Sequence, residues 1–91
     1  MFEYDPDKSA GNLAKHGIDF EQAQAQALWD DDWRLEIASD GGPEQRWLVI
    51  GKIRDRHWTA IYTMREASVR IISVRRSRPN EVREYGSQDT D

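Results

Sequence analysis

The chain has no cysteine, only two histidines and no long apolar run among its 91 residues. The missing thiols exclude disulfide frameworks, thiolate nucleophiles and sulfur metal sites. No stretch reaches the ~20 apolar residues that a membrane span needs. The start, MFEYDPDK, is acidic and polar where a signal peptide is basic and then apolar. The expectation is a cytoplasmic protein with no membrane partner. The length suits one domain with one modest core, assigned to residues 1–85 with a disordered tail, GSQDTD, at 86–91.

Positive charge is scarce overall but concentrated. The net charge is -4. Residues 1–45 carry 3 basic and 11 acidic side chains, whereas residues 46–85 carry 10 basic and 4 acidic ones. A polyanion responds to the local field more than to the total, so the second half can bind a phosphate backbone. The acidic half can instead neutralise that charge within the fold.

Phe2 and Tyr4 alternate with Glu3 and Asp5 as a short strand-like entry. Asp5 caps a helix with Pro6 at its first position, running from about Pro6 to His16 and closed by Gly17. Lys15 and His16 fall in its last turn, where cations suit the helix dipole. That placement explains both without a function, and a catalytic or phosphate-binding role stands beside it. Asp19 and Gln22 frame a second helix start near a capping box, with Phe20, Ala23 and Ala27 on one face. WDDDW, residues 29–33, ends that helix. Its three carboxylates are of the type that holds a divalent cation, but consecutive aspartates rarely converge, so a solvated turn is the stronger reading.

Leu35 and Ile37 flank Glu36 as a short strand, and SDGGPEQ is a loop. RWLVI (46–50) is a strand ended by Gly51, KIRDR is a turn, and HWTAIYTMR (57–65) returns. A short EAS connection leads to RIISVRRSRPNEVREY (70–85), which starts as a β-branched strand and turns basic at Arg75, Arg76 and Arg78. Pro79 then starts a short terminal helix. Three strands with short connections make an antiparallel meander, and the architecture is α+β. Guanidinium groups at a strand end present forked donors suited to phosphate. A surface ion-pair set with Glu81 and Glu84 is the plainer reading. Trp29, Trp33, Trp47 and Trp58 fit a small core better than base-stacking surfaces.

Several segments together resemble the BrnT-type toxins, the ribonuclease component of a bacterial type II toxin-antitoxin pair. They are FEYDPDK (2–8), Asn12, KHGIDFEQA (15–23), WD (29–30), EQRWLVIG (44–51), YTMR (62–65), RIISVRR (70–76), Glu81 and Tyr85. The resemblance covers roughly residues 2–85, in order. Tyr4 stands where the family usually has Trp, and the acidic net charge differs from the family's usual basic balance. What the resemblance implies is a RelE-like fold, with two N-terminal helices packed on an antiparallel β-sheet and a short C-terminal helix. It also implies a metal-independent RNA endonuclease without cofactor, neutralised by a BrnA-like antitoxin that carries a ribbon-helix-helix domain. DNA would be met only through that antitoxin.

Such an enzyme uses the RNA 2′-hydroxyl as nucleophile and leaves a 2′,3′-cyclic phosphate. It needs a base, cations for the transition state and an acid for the departing oxygen. His16, within the matched KHG, is the preferred acid or base, and His57 lies outside any matched segment. The further catalytic candidates are Glu44, Arg46, Arg65, Arg75 and Tyr85, and the RNA-binding candidates are Lys15, Arg70 and Arg76. Arg75 and Arg76 point to opposite faces, so one of them serves structure or the antitoxin. The alternative function is a catalytically inactive, toxin-like module that acts through its antitoxin. A DNA-binding regulator is disfavoured because no helix carries the basic face that groove entry requires.

Overall fold

The computed structural model describes residues 2–25, 28–29, 31, 33–39 and 44–88. Its elements are β1 (Phe2–Glu3), α1 (Pro6–His16), α2 (Phe20–Ala25), β2 (Leu35–Ser39), β3 (Arg46–Ile53), β4 (Arg56–Arg65), β5 (Ser68–Arg76) and α3 (Pro79–Ser87). The strands form one sheet in the order β1-β5-β4-β3-β2.

β2 to β5 pair antiparallel in sequence order, but β1 pairs parallel with β5, Phe2 opposite Val69 and Glu3 opposite Arg70. The sheet is therefore mixed, and its first strand precedes the helices. This corrects the expected α+β, RelE-like arrangement of two N-terminal helices packed on an antiparallel sheet. The helices are also short, α2 having 6 residues. The cause is non-local. Phe2 packs edge-on against Trp29 with centroids 4.9 Å apart, and Arg70 donates to Glu3 at 3.2 Å, so residues 2–3 are drawn to β5 by partners far along the chain.

The helix starts follow local chemistry. Asp5 accepts from the Asp7 N–H at 2.9 Å, and Gly17, at φ 83°, closes α1 by donating to the Leu13 carbonyl at 2.9 Å. Asp19 and Gln22 bond each other's backbone N–H reciprocally at 2.6 and 2.9 Å. The alternation of β3 and β4 turns Val49, Ile53, Trp58 and Ala60 toward Ile18, Phe20, Ala23 and Leu28, which with Tyr62, Ile71 and Val74 form the core. Gly51 does not end β3, which continues to Ile53. Its missing side chain instead admits Leu28, whose Cδ2 and carbonyl oxygen would lie 2.9 and 3.1 Å from an added Cβ. α3 runs through Ser87, and residues 89–91 of the expected tail lie outside the described residues, as does Ala27 of the expected α2 face.

Asn12 ties α1 to the sheet. Its Nδ2 donates to the carbonyls of Ile18 at 2.7 Å and Val74 at 2.8 Å, and its Oδ1 accepts from the Val74 N–H at 3.1 Å. All of these bonds are buried, so Asn12→Ala leaves three backbone groups without partners. A loss of roughly 2–4 kcal/mol in urea unfolding is expected, and a loss below about 1 kcal/mol would show that water replaces the amide.

Candidate functional site

Strand direction sorts the basic residues into two groups. At one end of the sheet lie the β3–β4 turn, the end of β5 and the start of α3. Asn12 and the Gly17–Ile18 junction bring the C-terminal end of α1 to the same place. At the other end lie Glu44, Arg46 and Arg65, with Arg70 opposite Thr63. Thr59 faces Arg75, and six further residues of β4 lead to Arg65, a separation of about 20 Å. The expected catalytic set is thus divided. Glu44, Arg46 and Arg65 are exposed, and Arg70 is held by Glu3.

Arg75 and Glu81 form a two-pronged pair, Nη1 to Oε1 at 2.8 Å and Nη2 to Oε2 at 2.9 Å, with side chains only 18% and 8% exposed. Glu81 also accepts from the Arg78 N–H at 2.8 Å and the Thr59 hydroxyl at 2.9 Å, and Thr59 is bonded in turn to Ser77 at 2.8 Å. Burial pushes the Glu81 carboxyl up, but the bonds from Arg75, Arg78 and Thr59 outweigh it and hold the carboxyl at about 2. The Glu81 hydrogen bond raises the Arg75 guanidinium above its ordinary value against the effect of burial. Both groups are fixed charges that lock α3 to β5.

Tyr85 is engaged in a similar way. Its hydroxyl donates to Asp31 Oδ2 at 2.6 Å, and burial followed by that bond pushes the phenol up to about 12. Its ring meets His57 edge-on, with centroids 5.0 Å apart. Asp31 accepts from the N–H groups of Trp33 at 2.9 Å and Lys52 at 2.8 Å as well. Burial raises its carboxyl, but the Tyr85, Trp33 and Lys52 bonds, assisted by Arg34, bring it below the ordinary value. Asp31 therefore links Trp33, Lys52 of β3 and Tyr85 of α3. Asp30 and Asp32, the other carboxylates weighed for a cation, lie outside the described residues. Among the described residues no group of three or more His, Cys, Asp or Glu converges as metal ligands.

A cavity of about 510 Å³ opens between the α1–α2 junction and the β3–β4 turn, lined by Gly17, Ile18, Gln22, Ile53, Arg54, Asp55, Arg56 and Trp58. His16 and Lys15 precede Gly17 on the last turn of α1. Arg76, opposite Trp58 in the sheet, lays its guanidinium over the indole with the central carbon 5.6 Å from the ring centroid. The two neighbours Arg75 and Arg76 do part to opposite faces. Arg75 enters the α3 lock, and Arg76 remains exposed beside the cavity.

Three of the four tryptophans pack on the core, and Trp33 is 53% exposed. Arg54 and Arg56 escaped sequence reasoning because KIRDR reads only as a turn. His57 escaped because its partner Tyr85 lies 28 residues further on. The register of the meander was the available signal, since it puts the β3–β4 turn beside the end of β5.

Among the described residues no helix is long and apolar enough to cross a membrane. A family model described as "Ribonuclease toxin, BrnT, of type II toxin-antitoxin system" matches residues 4–81. No curated protein matches the chain.

Proposed function

Because the chain belongs to the BrnT family of ribonuclease toxins of type II toxin-antitoxin systems, we propose that it is a metal-independent RNA endonuclease whose scissile phosphate lies at the α1–β5 end of the sheet. One observation carries the placement. Gly17 of the matched KHG segment lines the same cavity as Trp58, over which the exposed Arg76 of the matched RIISVRR segment lies.

In this reading His16 takes the proton of the RNA 2′-hydroxyl. That oxygen then forms a bond to phosphorus, the bond to the 5′-oxygen breaks, and the departing oxygen takes a proton from water, leaving a 2′,3′-cyclic phosphate and a 5′-hydroxyl. Lys15 and Arg76 neutralise the charge that grows on the non-bridging oxygens. Attack by the 2′-hydroxyl does not require a metal. Arg75, Glu81 and Tyr85 act through the fold, by holding the strand end and α3 in place. Glu44, Arg46, Arg65 and Arg70 stand too far away for the same phosphate. Neutralisation falls to a BrnA-like antitoxin with a ribbon-helix-helix domain, through which the complex meets DNA, and the site of action is the cytoplasm.

The test is incubation of the antitoxin-free chain with labelled RNA in excess EDTA. Fragments ending in 2′,3′-cyclic phosphate are expected. Intact RNA beside a folded chain that still binds its antitoxin would contradict the free-enzyme reading and favour a binding module without catalysis.

A further inference from the structure

We propose that the β3–β4 turn is a phosphate clamp, in which Arg54 and Arg56, beside Arg76 on the phosphate that is cut, hold the adjoining RNA backbone phosphate. The inference rests on the ribonuclease reading and extends its site to two residues that lie outside the segments carrying the family resemblance.

β4 begins at Arg56, and its period of two puts Arg56 on the face of Trp58, the same face to which Arg76 is brought by its pairing with Trp58. Arg54 and Arg56 both line the cavity, and Arg76 lies over its Trp58 wall. Three arginines thus border one cavity, one from the β3–β4 turn and two from the ends of β4 and β5. All three are exposed, and among the described residues none is in an ion pair; the pairs present are Arg34–Glu36, Arg70–Glu3 and Arg75–Glu81. Asp55 is the one carboxylate among the lining residues, against two arginines there and a third beside them. Gln22 adds neutral polarity from the opposite wall; its Oε1 is taken by the Asp19 N–H, so its amide donors remain for a ligand. A site with a surplus of forked donors and little to accept from calls for a tetrahedral anion with several acceptor oxygens. A phosphodiester has that chemistry.

Arg54 sits at φ 59°, in the left-handed region. A glycine adopts that conformation without strain, and this gives a variant in which fold and ligand binding respond in opposite directions. If the side chain serves a ligand, Arg54→Gly leaves the fold as stable as before or more so, yet weakens RNA binding. Arg56→Gln keeps length and polarity and removes only the charge.

The experiment uses the full chain and a labelled, 2′-O-methylated single-stranded RNA, which binds but cannot be cut, followed by anisotropy over a range of salt concentrations. The logarithm of affinity falls linearly with the logarithm of salt, with a slope near ~0.7 per neutralised phosphate contact on single strands. The slope is expected to shrink by about that amount in each variant, affinity at low salt to fall roughly tenfold, and the melting temperature of Arg54→Gly to hold or rise. Variants that bind with the wild-type affinity and slope, while wild type binds in the salt-dependent way, would overturn the clamp alone. A wild-type chain that does not bind the strand even at low salt overturns the clamp together with the ribonuclease reading.

Discussion

Glu81→Gln is expected to lower the stability of the folded chain by about 3 kcal/mol at neutral pH. The carboxylate receives four hydrogen bonds, two from Arg75, one from the Arg78 N–H and one from Thr59. An amide keeps one acceptor oxygen and faces Arg75 with donors of its own. It also leaves a guanidinium that is 18% exposed without a counter-charge, and removal of one partner of a buried pair costs about 3–5 kcal/mol. The same carboxylate makes stability depend on pH. Its value near 2 in the folded chain lies below the ordinary 4.5, so the stabilisation is complete above pH 4.5 and is lost as pH falls toward 2. The shift corresponds to about 3 kcal/mol. Urea unfolding at pH 7 and at several values down to pH 3 measures both effects. Wild type weakens across that acid range, whereas the Gln variant starts lower and changes less. A variant as stable as wild type at pH 7 would show that α3 is held by other contacts.

His16→Ala is expected to reduce the rate of RNA cleavage by roughly 10²–10⁴-fold, the contribution of a positioned acid or base, with little change in stability. His16 is half-buried, and among the described residues its imidazole has no hydrogen-bond or ion-pair partner. Its structural role is that of a partly exposed residue in the last turn of α1, where a substitution usually changes stability by no more than about 0.5 kcal/mol. Single-turnover cleavage by the folded variant distinguishes the two roles. A rate within a few-fold of wild type would remove His16 from the chemistry and leave it as a helix-terminal residue. His57 would then be the group to test, since it shares the same sheet end on the opposite face, against Tyr85.

The parts of this account that were legible in the chain are those set by near neighbours. Asp5, Pro6 and Gly17 bound α1 because capping chemistry acts over a few residues, and Pro79 starts α3 for the same reason. The alternation that separates Arg75 from Arg76 is equally local, and it could be read before either partner was known. The pairing of β1 with β5 was not legible, because two residues carry no register and their partners lie 67 positions away. Gly51 was misread as a strand end because a glycine required by close packing looks in sequence like one required by a turn. The division of the arginines escaped too. Arg46, Arg65 and Arg76 look alike along the chain, and only the antiparallel course of the strands puts the first two at one end of the sheet and the third at the other. Burial of Glu81 and the Asp31–Tyr85 bond likewise depend on how α3 folds back, which no local pattern records.

In the proposed mechanism RNA is cut at the end of the sheet where α1 and β5 finish. Cleavage rates of Arg76→Gln and Arg65→Gln, in otherwise unchanged, antitoxin-free chains of equal melting temperature, decide between the two ends. A loss of at least roughly tenfold is expected for Arg76→Gln, from which a charged donor to phosphate is removed, and a wild-type rate for Arg65→Gln. The reverse pattern, with Arg65→Gln impaired and Arg76→Gln unaffected, would move the reaction to the opposite end of the sheet.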